Sequence, residues 1–423
     1  MPEHIQTAEA DLAHRYLTIR EATGALVAPL SPEDCTPQSM SDASPVKWHL
    51  AHTSWFFETF VLEPRGGDFR PFNPRFRVLF NSYYNAVGDQ FFRPERGLVT
   101  RPGLAEVMAY REHVDAAMLR VLEAGALGAP GRAVVEVGLQ HEQQHQELIL
   151  SDVKHLLARN PGHPAYRDDL EVACEAPIER LSWHSVPGGI HQVGDAGPGF
   201  AFDNEGPRHD VLLREAKLGS RLVTNGEFLG FIEDGGYRRP EHWLSDGWAK
   251  VNERGWRAPL YWFDEDGERR IQTLGGPRAL CSSEPVTHVS AYEADAYARW
   301  AGARLPTEHE WEVVAAPLPM KGNFVENARF HPAPASMGEP ADGPRQLFGD
   351  TWEWTSSAYA PYPGYQAAAG ALGEYNGKFM VNQLVLRGGS CATPNAHLRP
   401  TYRNFFYPDA RWQFSGIRLA RDE

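Results

Sequence analysis

Residues 131–160 of this sequence read GRAVVEVGLQHEQQHQELILSDVKHLLARN. Apolar residues recur through this stretch at spacings of three and four, which predicts a long amphipathic helix. Pro161 and Gly162 follow directly, and both are typical of a helix end. The stretch therefore predicts one long helix in the N-terminal half of the chain.

Three further segments of the first 165 residues show the same periodicity. They read DLAHRYLTIREATGALVAPL at 11–30, VKWHLAHTSWFFETFVL at 46–62 and GLAEVMAYREHVDAAMLRVLEAGAL at 103–127. Pro45 stands just ahead of the second segment, where a helix tolerates proline. Four such helices predict an antiparallel bundle with one long connection, residues 62–101. A connection of that length in a compact domain is usually functional.

The sequence changes in character from about residue 170. Gly, Pro and Trp become frequent, and short alternating strands, such as 209–219 and 383–390, are separated by turn-rich loops. One further helix is predicted at 291–302. The boundary is expected near 160–180, which gives a helical domain at 1–165 and a second domain at 175–423.

The composition excludes several classes of protein. The 423 residues include 41 Lys and Arg against 55 Asp and Glu, a net charge of −14. Such an acidic surface repels phosphate backbones, so we expect no nucleic-acid partner. We find no signal-peptide pattern and no run of 18 apolar residues, so we expect no membrane partner and a cytoplasmic protein. The oligomeric state is not predicted.

The four cysteines, Cys35, Cys174, Cys281 and Cys391, are scattered along the chain. No two of them have CxxC spacing, which argues against a zinc site built from thiolates. A disulfide framework is also not expected. Cys391 has no second cysteine nearby and is expected to be a small buried residue.

The helix predicted at 131–160 carries His141 and His145 one turn apart. Residues at this spacing lie on the same helix face, about 5–6 Å apart at Cβ, so two imidazoles can bind one metal. The same residues match the HExxH motif of zinc proteases, with Glu142 as the general base. Two exposed histidines on a polar helix face are the alternative.

A second histidine pair, His49 and His52, lies on the helix predicted at 46–62. A histidine from a facing helix would complete a three-nitrogen site inside the bundle. Imidazole suits iron, zinc and copper, so the spacing does not choose the metal.

The segments PVKWHLAHTSWFFE at 45–58 and QHEQQHQE at 140–147 together resemble the DinB-type bundle of the ergothioneine-biosynthesis sulfoxide synthases (EgtB-like hercynine oxygenases). These are non-haem Fe(II) enzymes that use O2. The resemblance implies that His52, His141 and His145 bind Fe(II), with His49 behind them or in the core. It also implies that Gln144 contacts the substrate imidazole.

The segment EPVTHVSAYEADAYARWAGARLPTEHEWE at 284–312 resembles the formylglycine-generating-enzyme-like fold, a C-type-lectin-like domain. The blocks LFGDTWEW at 347–354, RGGS at 387–390 and GIR at 416–418 follow in that family's order. The fold class implied is α+β, a DinB-like four-helix bundle followed by this domain. Because the second fold serves many roles, it says little about function by itself. Its tryptophans and Arg–acid pairs, Glu308 among them, are expected to be structural.

The resemblance also implies a substrate, hercynine (N-α-trimethylhistidine), and a thiol donor. Asn404 matches a substrate-contacting asparagine. Phe405 and Phe406 stand where the actinobacterial type has Trp and an Asp that meets γ-glutamylcysteine, so a smaller donor, free cysteine, is expected. A seleno-sugar donor, as in the selenoneine synthases, stays open. Arg93 and Arg96 are candidates for binding the donor carboxylate and could equally be surface charges.

Tyr83 and Tyr84 resemble a tyrosine pair that lies near the iron in the cysteine-using branch. A phenol has a pKa near 10 and therefore remains a proton donor at neutral pH. Such a proton steers oxygen chemistry towards C–S bond formation and away from oxidation of the thiol. Tyr375 is the rival candidate for this role, and simple packing is the alternative for the pair.

The predicted function is oxidative C–S bond formation between hercynine and a thiol, most simply cysteine. An ovothiol-type synthase is disfavoured, because no glycine-rich methyltransferase motif follows the second domain. A non-catalytic binding protein is the alternative from another class, and it predicts that the three histidines need not meet.

Overall fold

The computed structural model describes residues 3–170, 174, 180–335 and 343–423. The chain divides into two compact units, Met1–Pro161 with Ala368–Tyr375, and Gly162–Ala367 with Asn376–Glu423. Part of the predicted boundary region, 171–173 and 175–179, lies outside the described residues. Over the described ranges, we find no helix with both the length and the apolarity needed to cross a bilayer.

Long helices form the first unit, as the periodicity predicts. The helices are α1 (Glu3–Val27), α2 (Val46–Phe57), the short α3 (Phe76–Leu79), α4 (Leu104–Glu123) and α5 (Gly128–Ala158). Both α1 and α2 pack against α4 and α5, which confirms the helical bundle. The α2 helix continues into a π-helical turn, Glu58–Leu62. The long connection between α2 and α4 contains α3 and a 3₁₀ turn at Arg93–Leu98.

Residues Ala368–Tyr375, here called the strap, come from the C-terminal half of the sequence but belong to the first unit. The Glu374 carboxylate accepts hydrogen bonds from the backbone N–H groups of Asn85 and Ala86, at 3.1 and 2.7 Å. The Tyr375 hydroxyl donates to Oε1 of Gln144. Polar contacts between residues far apart in sequence therefore attach the strap to the bundle, and the domain bounds 1–165 and 175–423 stay a prediction.

Short strands and short helices make up the second unit. The helices are α6 (Asn225–Glu233), α7 (Ser245–Arg254), α8 (Ala291–Trp300) and α9 (Glu308–Ala315). The strands are β1 (Trp183–Val186), β2 (Gly189–Val193), β3 (His209–Leu213), β4 (Ala216–Gly219), β5 (Trp262–Glu265), β6 (Glu268–Thr273), β7 (Gly276–Ala279), β8 (Trp352–Ala358), β9 (Leu384–Arg387), β10 (Asn404–Phe406), β11 (Ser415–Gly416) and β12 (Ala420–Asp422). Their sheets have the orders β1-β4-β12, β10-β9-β8-β11, β2-β3 and β5-β6-β7. Only the β8–β11 pair is parallel among the described strand pairs.

Buried ion pairs hold the second unit together. Glu308 accepts from Arg387 and Arg403 at 2.9 and 2.8 Å, which is the structural role that the sequence predicts for it. Glu353 accepts from Arg418 at 2.8 Å, and both side chains are fully buried. An unpaired charge in such a position would cost several kcal/mol, roughly 3–5. These pairs therefore act as connected sets in a unit that has little regular structure.

The cysteines depart from the sequence-based expectation. Cys174 and Cys281 form a disulfide with a Cα–Cα distance of 5.6 Å and a sequence separation of 107 residues. The expectation that no disulfide forms is therefore wrong for this pair. Spacing could not reveal it, because the fold alone brings the two residues together. Cys35 and Cys391 are buried and take no part in this disulfide, and the burial of Cys391 agrees with the prediction.

Candidate metal centre

Three histidines from two helices meet inside the first unit. His52 lies on α2, and His141 and His145 lie one turn apart on α5. One nitrogen from each imidazole lies within 4.8 Å of the other two, and this is the only such group of potential ligands among the described residues. The side chains are buried, with exposed fractions of 1, 2 and 7%. The packing of α2 on α5 therefore completes the three-nitrogen site that the helix spacing suggests.

The long connection fixes the orientation of His52. Its Nδ1 lies 2.6 Å from the carbonyl oxygen of Phe80, to which it donates. The indoles of Trp48 and Trp55 stack on its two sides, with ring centroids at 4.5 and 5.5 Å. These indoles donate to carbonyls of the connection as well, at Leu79 and Arg77. His52 therefore presents Nε2 to the cluster.

The electrostatic state of the cluster suits a metal. Burial lowers the pKa of His141 to about 3, and it lowers the pKa of His52 and His145 well below the usual value. All three imidazoles are therefore neutral at pH 7 and carry lone pairs. The Nε2 atoms of His141 and His145 lie 3.0 Å apart, a spacing that a cation between them would stabilise. Three converging neutral imidazoles fit a divalent transition metal such as iron, zinc or copper.

Glu142, the base of the protease hypothesis, does not face the cluster. Its carboxylate is fully buried and accepts from Arg20 at 2.9 Å and from Arg111 at 3.0 Å, and also from Thr23 at 2.8 Å. Despite the opposing effect of burial, the two guanidinium groups hold its pKa below the ordinary value. A carboxylate tied into ion pairs has no access to a metal-bound water. The zinc-protease alternative is therefore wrong, and Glu142 holds α1, α4 and α5 together.

Of the candidate tyrosines, Tyr375 on the strap packs against a histidine of the cluster, His141. Its ring centroid is 5.8 Å from that of His141. Tyr83 is half-buried, 6.4 Å from Tyr375 between ring centroids, and stacks on Tyr84 at 4.7 Å. Tyr84 is fully buried against Trp55. Burial raises the pKa of Tyr84 well above its usual value, with smaller contributions from the neighbouring tyrosines.

Gln144 and the two candidate arginines differ in their surroundings. Gln144 is half-buried on α5, where it accepts the hydrogen bond of Tyr375. Arg93 is exposed and donates to the backbone carbonyl of Asp42. Arg96 is buried, stacks on Trp48 at 3.4 Å and donates to Ser44 at 3.0 Å. Arg96 therefore forms the outer end of a stack that continues through Trp48 to His52.

The remaining candidate residues lie on β10 in the second unit. Asn404 Oδ1 accepts from the backbone N–H of Phe405 at 2.9 Å. The ring of Phe405 stacks on Tyr359 with centroids 4.0 Å apart, and Phe406 packs edge-on against Trp412 at 5.9 Å. All three β10 residues are half-buried.

The sequence left His49 between two places, behind the ligands or in the core, and did not single out Asp152 or the carbonyls of the connection. The pair of His49 and Asp152 reaches His145 from behind. The spacing held a signal, because Asp152 follows His145 by seven residues, two helical turns along the same face. For the carbonyls of the connection, no local sequence pattern exists.

Two family models match the chain, in the order that the fold shows. The DinB superfamily model matches residues 15–149, and the model of the sulfatase-modifying factor enzyme 1-like domain matches residues 175–423. A formylglycine-generating enzyme of Streptomyces coelicolor is 30% identical over 291 residues, which cover 56% of this chain and 88% of that protein.

Two relatives extend over nearly the whole chain. The hercynine oxygenase of Mycolicibacterium smegmatis is 35% identical over 406 residues, 90% of this chain and 91% of the relative. That of Mycolicibacterium thermoresistibile is 35% identical over 451 aligned positions, 98% of this chain and 95% of the relative. The identity covers the helices that carry the histidine cluster as well as the second unit. The chain therefore belongs to the hercynine oxygenase family.

Proposed function

We propose that this chain is a non-haem iron oxygenase that joins the imidazole C2 of hercynine to the sulfur of a thiol, giving a sulfoxide on the route to ergothioneine. The observation that carries the proposal is the buried cluster of His52, His141 and His145. Membership of the hercynine oxygenase family supplies the substrate. O2 is the co-substrate.

The reaction balances without a further reductant. The C2–H bond of hercynine and the S–H bond of the thiol break, and a C–S bond forms. One oxygen atom of O2 ends on sulfur and the other leaves as water, so the four electrons that O2 takes up come from the two substrates. Iron, held by His52, His141 and His145, would supply the Lewis-acid and redox chemistry by which the two substrates and O2 react.

We propose a role for each of four residues around the cluster. Gln144, oriented by the Tyr375 hydroxyl, is proposed to contact the hercynine imidazole. Tyr375 and Tyr83 are proposed as the phenols that deliver a proton. Burial raises the pKa of Tyr84 and keeps its hydroxyl protonated, and its stacking on Tyr83 supports that ring.

Cysteine is the proposed donor. Phe405 and Phe406 place aromatic rings, and no carboxylate, at the positions where the resemblance expects an acid for a larger donor. Asn404 is proposed to contact hercynine. Arg93 is exposed and is the better candidate for a donor carboxylate, since Arg96 is engaged by Trp48 and Ser44.

The test is mass spectrometry of an aerobic reaction that contains the iron-loaded chain, hercynine and three competing donors. The donors are cysteine, γ-glutamylcysteine and a seleno-sugar. We expect the cysteine sulfoxide adduct as the main product, and its loss in His141→Ala but not in His113→Ala. His113 is a matched control, because it lies in the same unit but outside the cluster.

Each outcome bears on a different part of the proposal. A dominant seleno-sugar adduct would keep the hercynine chemistry and overturn the cysteine donor. Absence of every adduct from an iron-loaded chain would overturn the function itself.

A further inference from the structure

A fourth buried histidine lies directly behind the cluster. His49, with an exposed fraction of 2%, stands between His145 and Asp152. Its Nδ1 is 2.7 Å from Nδ1 of His145, and its Nε2 is 3.1 Å from Oδ2 of Asp152. The three side chains form a continuous line that ends at the cluster.

The directions of these hydrogen bonds follow from the acceptor at the end of the line. Oδ2 of Asp152 accepts the backbone N–H of Ser44 at 2.8 Å, so His49 donates to the same oxygen through Nε2. A neutral imidazole that donates through Nε2 carries its lone pair on Nδ1. His145 must then be the donor of the 2.7 Å contact, through its own Nδ1–H.

The proton on Nδ1 of His145 decides the state of the other ring nitrogen, Nε2. An imidazole protonated at Nδ1 has its lone pair at Nε2, and this is the atom that lies 3.0 Å from Nε2 of His141. The line from Asp152 therefore sets the tautomer of His145 and aims its lone pair into the cluster. His49 itself turns its lone pair towards His145, which separates it from the three ligand candidates.

The other two ligand candidates are oriented differently. His52 is held by the Phe80 carbonyl and two indoles. Nδ1 of His141 meets no hydrogen-bond partner among the residues that the structure describes, and His141 is placed by its position on α5. Only His145 depends on a side-chain relay for its tautomer.

We propose that His49 and Asp152 are positioning residues that hold His145 in the metal-binding tautomer. The inference rests on the proposed function only in that a divalent metal binds the histidine cluster. Outer partners of this kind commonly contribute about 10- to 100-fold to metal affinity.

The test measures metal affinity, without turnover. The full-length apo chain is titrated with Co(II) under anaerobic conditions, followed by its visible absorption, and the Fe(II) affinity is measured by competition with a chelator. In His49→Phe the ring stays but both nitrogens are lost, and we expect about 10- to 100-fold weaker binding with an altered Co(II) spectrum. In His49→Gln an acceptor and a donor remain, and we expect recovery to within about fivefold of the wild type, inside that range.

A matched control separates positioning from packing. Leu150→Ala removes a fully buried side chain from α5 and is expected to lower the melting temperature of the apo chain without changing the affinity. Binding by His49→Phe as tight as that of the wild type would overturn the proposal. The proposal would also be overturned if His49→Phe and His49→Gln lost metal affinity equally and left the Co(II) spectrum unchanged. If the wild type itself binds neither metal, the proposed function fails, and this outcome is distinct from failure of the relay.

Discussion

The helices and the strap contribute to the same centre in different ways. His52, His141 and His145 are placed by helix geometry, buried, and surrounded by rings and carbonyls of the bundle. The strap, Ala368–Tyr375, is attached by hydrogen bonds that Glu374 accepts from the connection and that Tyr375 donates to Gln144. We therefore propose a division of labour in which the helices hold the metal and the strap decides what reaction follows. Each part of this division can be tested by itself.

The largest effect is expected from removal of a histidine of the helical side. His141→Ala leaves two imidazoles in the cluster, so the affinity for Fe(II) should fall by more than ~100-fold, beyond the usual cost of losing an outer partner. Metal content after gel filtration and Co(II) titration measure it. The His113→Ala control should bind as the wild type does. Full occupancy in His52→Ala, His141→Ala and His145→Ala would sink the assignment of the centre.

The second prediction concerns a substitution in the strap, which should leave metal binding intact. Tyr375→Phe keeps the ring beside His141 but removes the hydroxyl that donates to Gln144, so the rate of C–S adduct formation should fall by about 100-fold, the usual scale of proton donation. Fe(II) affinity should stay within about twofold. The ratio of adduct to oxidised donor, read by mass spectrometry, should shift towards the oxidised donor.

Tyr83→Phe and Tyr84→Phe are compared with Tyr375→Phe in the same assay. The shift in the ratio of adduct to oxidised donor then ranks the three phenols. We expect a smaller shift in Tyr83→Phe than in Tyr375→Phe, and the smallest in Tyr84→Phe, whose side chain is fully buried among aromatic rings. An unchanged product ratio in all three variants would remove the tyrosines from the mechanism.

The third prediction concerns Glu374→Gln, a change that weakens the attachment of the strap and leaves the Tyr375 hydroxyl in place. Glu374→Gln replaces a carboxylate that accepts from two backbone N–H groups, and hydrogen bonds to a charged acceptor are stronger than those to an amide. The contacts are solvent-accessible, so we expect a modest, roughly fivefold, fall in adduct formation. Metal affinity should not change. If Glu374→Gln weakened metal binding as much as product formation, strap and helices would not be separable.

The helical side of the centre was largely predictable from sequence. Periodicity gave the bundle, and the four-residue spacing of His141 and His145 put two imidazoles on one face. The choice of His52 over His49 came from resemblance, and the three-residue spacing of these two residues did not decide it. The structure separates them by the direction of their rings, since His49 turns towards Asp152.

The resemblance named Tyr375 as a candidate, but the attachment of the strap was not predictable, for a physical reason. Tyr375 and Gln144 are 231 residues apart, and Glu374 and Asn85 are 289 apart. Such contacts depend on how the whole chain folds, and no local spacing encodes them. The Cys174–Cys281 disulfide was missed for the same reason. For Arg96 the sequence left donor binding and a surface charge equally open, because its stacking on Trp48 needs the connection to fold back.

The smallest predicted effect concerns the stability of the helical side. Glu58 begins the π-helical turn after α2 and is buried, where Tyr110 and the backbone N–H of Phe72 donate to its carboxylate. Burial raises its pKa to about 7, from an ordinary value of 4.5. The folded chain therefore binds this proton more tightly than the unfolded chain, and the resulting stabilisation is lost as the pH rises from 5 to 8.

Glu58→Gln cannot titrate, so its melting temperature should fall less than that of the wild type between pH 5 and pH 8. We expect the difference to be about 5 °C, from a free energy on the order of 2–3 kcal/mol. Thermal unfolding of both metal-free proteins measures it. The buried histidines of the cluster have lowered pKa values and act in the opposite direction, but they are common to both proteins and cancel in the difference. Identical pH profiles would show that Glu58 stays ionised in the bundle, and the helical side would then tolerate a buried charge held by the hydrogen bonds from Tyr110 and Phe72.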